Sequence, residues 1–335
     1  MTEPPVWTEA FAALTQLQQA AEAHALLVAA ERTGLLRALA PGTSAAEAAG
    51  GLGLSVGRVE AALDVLSAHG IAVADDGRWA LAPGWEDLVR GESPVALDAS
   101  VGMGRVRVDQ VGRAFDGAAD YSALSPEDRL TVARGVSFDP SHNGSLDIAR
   151  NAVASLAGLV ERLERGGSVL ELGCGVAGRL TSLLLAFPTA RGVGVELDEE
   201  LVAWGRERAR SLGVGDRLEL VAADATEYEP DELFDQVQWS QFFFPEDARV
   251  GALATARLAL RPGGWVNMPV IWDGAPLPVG SPEHRDIAAE RVVLDLWRVP
   301  LKSTQDVVAE VEGAGFVDVQ VIAAPEVHYV RGRQP

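Results

Sequence analysis

The stretch GGSVLELGCGVAGRL, residues 166–180, constrains the fold more than any other part of the chain. Val169, Leu170 and Leu172 read as a buried strand. Gly173, Gly175 and Gly178 follow, and a helix is predicted to start near Arg179. Glycines at this point permit a tight strand-to-helix turn and let a ligand come close to the backbone. The glycine spacing by itself is a weak signal. It gains weight from the segments after it. RGVGVELDEELVAWGRERAR (191–210) reads as a second strand, ending at Glu196, and a helix. LELVAAD (218–224) is a third strand ending at Asp224, and FDQVQWS (234–240) is a fourth. LALRPGGWVNMPVI (258–271) reads as a helix end, a turn and a fifth strand, and GFVDVQVIAAPEVHYVRG (315–332) as a final pair. Strands alternating with helices predict an α/β domain with a Rossmann-type, mostly parallel sheet. Ligands of such sheets bind at the carboxyl ends of the strands. An acid about 20 residues beyond the glycines, here Glu196, can accept both hydroxyls of a ribose.

The chain before this point reads differently. AHALLVAAERTGLLRALA (23–40) has apolar residues at helical spacing and stops at Pro41-Gly42. Ser44 stands three residues before Glu47, a capping-box pattern, and Gly50-Gly51 end that short helix. Ser55 reads as the next N-cap, and the helix after it runs to Gly70. IAVADDGRWALAP then reads as a hairpin turning at Asp76-Gly77. Helices followed by a hairpin predict a winged-helix-like, mainly helical N-terminal domain. It does not have the charge of a DNA reader. Its first hundred residues hold 5 Arg against 13 acids, and phosphate contacts dominate nucleic-acid affinity. The expectation is a dimerisation module.

With 335 residues and 48% hydrophobic content, the chain can form two real cores. The expected division is a dimerisation domain over 1–100, a helical connector contributing to the substrate pocket over 101–150, and the sheet domain over 151–335. A formal net charge of −20 disfavours nucleic acid and anionic membranes as partners. No apolar run reaches the roughly 18 residues of a membrane span. MTEPPVWTEA lacks the basic and apolar regions of a signal peptide. A cytoplasmic homodimer acting on a small molecule is expected. The lone cysteine, Cys174, excludes an internal disulfide and a multi-cysteine metal site, and no metal is expected.

ELGCGVAG, with VELD, AADAT and LRPGGWV, resembles the class I S-adenosylmethionine-dependent methyltransferases. Together with the N-terminal region, residues 20–330 resemble the small-molecule O-methyltransferase family of plant and bacterial secondary metabolism. The resemblance implies S-adenosylmethionine as cofactor. Gly173, Gly175 and Gly178, with Cys174 as a small residue fitting the loop, would pass its methionine portion. Glu171 would organise the loop and Glu196 would take the ribose hydroxyls. Leu197 would lie beside the adenine, Asp224 and Ala225 at its amino group, and Ser240 at the end of the fourth strand. The alternative reading of Asp224 is a helix N-cap.

One segment departs from that family. After the fourth strand it commonly reads Leu-His-Asp-Trp, and the His deprotonates the substrate hydroxyl. Counting back from LRPGG places Gln241 and Phe242 at the Leu and His positions, with Phe243 and Phe244 after them. A phenyl ring neither accepts a proton nor binds a metal. Three explanations are open. The base has moved, with Asp139 and His142 in the loop FDPSHNGS (138–145) as candidates. The nucleophile needs no base, being a nitrogen or an acidic carbon. Or the cofactor is used otherwise, for example in a cyclisation releasing methylthioadenosine, or without catalysis in a regulator. The expected substrate pocket comprises Trp239, Gln241, Phe242, Phe243, Met103, Arg107 and Trp272.

Overall fold

The computed structural model describes residues 7–115, 120–154, 156, 158–323 and 328–335. It divides into two compact units, Met1–Arg105 and Val106–Pro335.

In the first unit the helices are α1 (Trp7–Thr33), α2 (Leu35–Leu39), α3 (Ala45–Leu52) and α4 (Val56–Ala68). The strands β1 (Ala72–Asp75) and β2 (Arg78–Leu81) and the helix α5 (Trp85–Arg90) follow, then the start of α6 (Leu97–Gly112). The single helix expected over 23–40 is broken. Gly34 takes φ 83°, and its amide closes the last turn of α1 on Glu31 O at 3.1 Å. This left-handed stop ends α1 and redirects the chain into α2. The capping box is formed: Glu47 N donates to Ser44 Oγ, and Ser44 N donates to Glu47 Oε2 at 2.8 Å. Ser55 has N-cap backbone geometry, but its hydroxyl makes no capping bond. Asp76 and Gly77 both take positive φ (45° and 76°), which lets a two-residue turn join β1 to β2. Leu36, Leu39, Leu63 and Leu66 centre the core of this unit. Trp7, Phe11, Leu14 and Leu17 remain exposed on α1 at near-helical spacing.

The second unit opens with α7 (Pro126–Gly135), α8 (Asn143–Ala154) and α9 (Leu159–Glu164). Gly158, left-handed at φ 76°, precedes α9. The sheet and its helices follow: β3 (Ser168–Leu172), α10 (Gly178–Ala186), β4 (Arg191–Glu196), α11 (Glu199–Ser211), β5 (Leu218–Ala222), β6 (Phe234–Trp239), α12 (Glu246–Ala259) and β7 (Leu260–Val270). The chain ends with α13 (Pro282–Leu296), α14 (Thr304–Gly313), β8 (Val317–Ala323) and β9 (His328–Arg333). The seven strands are ordered β5-β4-β3-β6-β7-β9-β8. Strands β3 to β7 pair in parallel, and β9 pairs antiparallel to both β7 and β8. All five residues of β3 are buried, as befits a central strand with both faces covered. The turn expected at Arg261-Pro262-Gly263 is instead part of β7. The pairing with β6 jumps from Phe234↔Leu260 to Gln236↔Trp265, and Gly263 (φ 78°) makes the irregularity possible.

From β3 the chain builds outward through β4 and β5, then returns to lay β6 on the other side of β3. The reversal opens a crevice at the carboxyl ends of β3 and β6, where α/β sheets bind ligands.

Candidate functional site

The glycine turn is the floor of that crevice. Gly173 and Gly175 take φ of 70° and 54°, and Ala177 is left-handed at 55°. A left-handed alanine is strained; it is fully buried at the N-terminus of α10, so its packing holds it there. The amides of Gly173 and Cys174 both donate to Val195 O, at 2.9 and 3.1 Å, which ties the turn to β4. A Cβ on Gly173 would lie 2.6 Å from the ring of Phe244, so only glycine fits. At Gly178 a Cβ would meet Ser137 Oγ and the carbonyl of Phe138 at 2.0 and 2.7 Å. Gly178 therefore admits a neighbouring segment of chain. The Cys174 thiol is buried, and burial, with Glu171 and Glu196 nearby, pushes its pKa well up. It packs against Gly194 and is not a nucleophile.

Two acids flank the turn. Glu171 is buried in β3. Its Oε1 accepts from Arg179 Nε at 3.2 Å, while its Oε2 is buried and has no partner among the described residues. Burial pushes this carboxyl above the usual range, and Arg179 offsets only part of that. Glu196 ends β4. Its Oε2 accepts from Gly175 N at 2.8 Å and its Oε1 from Asp198 N at 3.1 Å. Burial raises its pKa too, against the pull of these backbone amides. The Leu197 amide also bonds this carboxylate, so three backbone donors orient it, and acceptor capacity remains for a further donor. Leu197, next to it, is 74% exposed, an apolar side chain standing in the open at a sheet edge. Asp224 lies beyond β5. Its Oδ1 accepts from Thr226 N and Oγ1 at 2.8 and 2.7 Å, closing a local turn; no helix begins there. Ala225 is buried in the sheet core. Ser240 N donates to Leu172 O at 3.2 Å, which joins the ends of β6 and β3.

A cover over the turn was not foreseen from the sequence. Ala133 and Leu130 of α7 pack with Val176 and Leu201. Arg129 pairs with Asp198 at 2.5 Å, and Arg208 with Asp139 at 2.7 Å. Tyr121 lies close enough to Glu196 and Asp198 that, after burial, their charges raise its phenol pKa. Tyr121, Arg129, Leu130 and Ala133 sit in no motif. Tertiary folding alone brings them to the turn.

The carboxyl end of β6 differs from expectation. Trp239 is fully buried: its ring meets Phe244 edge-on at 5.5 Å, and the Arg249 guanidinium lies 5.0 Å from its centroid. Gln241 is also buried, donating from Nε2 to Pro269 O at 3.0 Å and accepting at Oε1 from Arg249. Both were expected in the pocket; both are instead packed inside, because β6 is a central strand covered on both faces and Arg249 and Pro269 O hold Gln241 inward. Of the three phenylalanines, Phe244 joins the core, Phe243 is half-buried and packs against that core on one side, and Phe242 is half-buried with its ring centroid 4.7 Å from that of Phe243. Arg249 was missed by the sequence reading. It is 2% exposed and paired with Glu310 at 2.5 Å.

The remaining expected residues are dispersed. His142 Nδ1 accepts from Gly144 N at 3.0 Å, so its lone pair is engaged at the start of α8. Asp139 Oδ1 accepts from Ser141 N, Ser141 Oγ and Arg208 Nη2. Burial raises its pKa, but the Ser141 bonds and Arg208 outweigh this and leave it below the usual range. A carboxylate held this way is a weak base. Met103 is half-buried on α6 in the first unit. Arg107 pairs with Glu290 at 2.5 Å, and Trp272 donates from Nε1 to Ala275 O at 3.3 Å.

Residues 169–264 match the family model described as a methyltransferase domain, which bears out the resemblance carried by ELGCGVAG and LRPGGWV. No curated protein matches the chain. Among solved structures, an O-methyltransferase family protein from Burkholderia thailandensis matches with a TM-score of 0.73 and 17% identity, over 97% of this chain and 98% of that one. The mitomycin 7-O-methyltransferase MmcR gives 0.73 at 18% identity, over 98% of each chain. CalO1, a methyltransferase of calicheamicin biosynthesis solved with SAH bound, gives 0.65 at 20% identity, over 98% of this chain and 99% of that one. At these identities the likeness is one of fold. It extends over nearly the whole chain and bears out the expected α/β architecture.

Proposed function

With residues 169–264 a methyltransferase domain, we propose that the chain is an S-adenosylmethionine-dependent methyltransferase acting on a small metabolite. The observation that carries this reading is the pair of acids around the glycine turn. Glu171 keeps a buried carboxylate oxygen without a partner, and a buried oxygen of that kind calls for a donor or a cation. The ammonium group of the cofactor's methionine portion is one. Glu196, oriented by Gly175 N and Asp198 N, suits the ribose hydroxyls, and exposed Leu197 suits the face of the adenine. Gly173, Cys174 and Gly175 supply the backbone of the turn; Asp224, Ala225 and Ser240 border it. When bound, the cofactor supplies an electrophilic methyl group on a sulfonium.

The acceptor, in this reading, is a nitrogen or an acidic carbon rather than an ordinary alcohol. An alcohol needs a base, worth ~10²–10⁴ in rate, and the turn after β6 offers Phe242 in its place. Asp139 and His142 are engaged in holding their own loop. A neutral amine gains mainly from being held in line with the methyl. Phe242 and Phe243 would form an apolar wall that also favours a sulfonium through cation–π attraction.

Product analysis by mass spectrometry tests the reading. Protein and S-adenosylmethionine alone should leave the cofactor intact. Addition of a metabolite extract should convert it to the demethylated product. Methylthioadenosine formed at an enzymatic rate without an acceptor would replace methyl transfer by intramolecular cyclisation. Calorimetry showing no binding of cofactor or its demethylated product would reject the enzyme reading in favour of a regulator.

The division into 1–100, 101–150 and 151–335 belongs to the same proposal, as do a cytoplasmic setting and a homodimer. No helix among the described residues is long and apolar enough to cross a membrane. The exposed stripe Trp7, Phe11, Leu14 and Leu17 on α1 is the surface a second copy would cover. Light scattering at micromolar concentration should give twice the monomer mass, and a monomer would remove this part of the proposal.

A further inference from the structure

Arg249 is a buried cation that the cofactor site does not use. It lies on α12 with 2% of its side chain exposed. Its Nη1 donates to the backbone carbonyl of Gln241 at 2.8 Å and its Nη2 to Gln241 Oε1 at 2.9 Å. On its other side, Nε and Nη2 donate to the two carboxylate oxygens of Glu310 on α14, at 2.9 and 2.5 Å. Lys302 Nζ lies 3.3 Å from Glu310 and 2.9 Å from Glu246. Gln241 is held a third time by its own bond to Pro269 O on β7. The guanidinium thus grips both the backbone and the side chain of the residue that opens the short turn Gln241–Phe243.

An apolar pair of similar volume can replace a buried ion pair with little loss of stability, or with a gain. Burial of charge here therefore calls for a reason other than stability. A planar, forked donor fixes direction as well as distance. What it fixes is the conformation of residues 241–244, from which Phe242 and Phe243 project. We propose that Arg249 is a positioning residue for the acceptor side of the site: by clamping Gln241 it sets the Phe242–Phe243 wall and thereby selects the acceptor. This rests on the methyltransferase reading above, in which that wall faces the acceptor.

Three variants test it: Arg249→Lys, Arg249→Met, and the double variant Arg249→Met with Glu310→Met, which leaves no unpaired charge if the single one fails to fold. Three measurements are made on each full-length protein. They are hydrogen exchange at the Phe243 and Phe244 amides, whose bonds to Ser240 O and Gln241 O close the turn; calorimetry with S-adenosylhomocysteine; and transfer of a radiolabelled methyl to aniline, indole and phenol as probes. The double variant should fold cooperatively with a lowered Tm, because the Gln241 carbonyl and Oε1 lose their Arg249 donors, and should bind S-adenosylhomocysteine within about threefold of wild type, a change below 1 kcal/mol. Its Phe243 and Phe244 amides should exchange about tenfold faster or more, and KM for the best probe should rise about tenfold with kcat less affected. Lysine keeps the charge but not the fork and should not restore slow exchange. Unchanged exchange in a folded double variant overturns the proposal, as does unchanged KM with unchanged probe preference. Failure of the wild type to bind S-adenosylhomocysteine or to methylate any probe counts against the functional reading instead, and the exchange measurement still judges the clamp.

Discussion

Two regions meet at the carboxyl edge of the same sheet and are built on opposite principles. On the β3–β4 side, polar groups are left available. Glu171 keeps an unpartnered oxygen and Glu196 keeps lone pairs, and Leu197 stands exposed. On the β6 side one buried polar cluster closes on itself, although Trp239 Nε1 and both amide atoms of Gln236 are buried without a partner among the described residues. Arg249, Gln241 and Glu310 satisfy one another in the interior, and the surface they support is two phenyl rings. The first region is shaped to hold a ligand by hydrogen bonds and charge. The second is shaped to present an apolar wall in a fixed place. Under the reading proposed above, acceptor choice would depend on what lies under the turn after β6, whereas cofactor capture would depend on what is exposed around the glycines.

Three perturbations would break or sharpen this contrast. Glu196→Ala should have the largest effect. It deletes the proposed ribose acceptor and frees Gly175 N and Asp198 N at once. Hydrogen bonds to a charged group are worth about 1.5–3 kcal/mol each, so calorimetry should show affinity for S-adenosylhomocysteine falling about 100-fold or more. A loss under about threefold would move cofactor capture elsewhere. Phe242→His comes next, because it places a base on the apolar side. Methyl transfer to phenols should increase about tenfold or more, short of the ~10²–10⁴ of a well-positioned base because nothing orients the new imidazole, while transfer to amines stays level. If phenol rates do not move although cofactor affinity is intact, the wall is not where the acceptor reacts.

The smallest effect concerns Glu171 and runs against stability. Its carboxyl sits above the ordinary 4.5, chiefly through burial. Between 4.5 and that raised value, the folded state holds a proton that the unfolded state has lost. Stability therefore falls as pH rises through this window and stays reduced at neutral pH. Glu171→Gln removes the charge and should raise the Tm of cofactor-free protein at pH 8 by about 2–4 °C, the scale of ~1 kcal/mol in a unit of this size. The gain should shrink as the pH is lowered to 4.5, where the unfolded carboxyl also takes up its proton, and cofactor affinity should fall. Thermal scans at both pH values check this, and a lower Tm at pH 8 would show that the carboxylate is stabilising after all.

Much of the cofactor side was legible in the sequence because it is local. Glu171, Gly173 and Gly175 lie within five positions, and a positive φ or a close approach narrows the choice to glycine. Phe244 shows the limit of that reading. Its ring is the reason Gly173 has no room for a side chain, yet 71 positions separate them. Gly178 has the spacing of a ligand-binding glycine but makes room for the Ser137–Phe138 segment. The substrate pocket was the least legible. Trp239 and Gln241 read as wall residues because they border the phenylalanines in sequence, and the fold turns both inward. Nor could the partnership of Arg249 with Gln241 and Glu310 be inferred, since it joins α12 to α14 and the turn between β6 and α12.

By itself the sequence determined the alternation of strands and helices, the glycine turn, the two acids beside it and the absence of a base at Phe242. Each follows from backbone conformation or side-chain chemistry acting over a few residues. Tertiary structure alone decided which of those side chains are free and which are consumed. That depends on burial, and burial is fixed only when segments far apart in the chain pack together and each polar group must find its partner from whichever segment arrives.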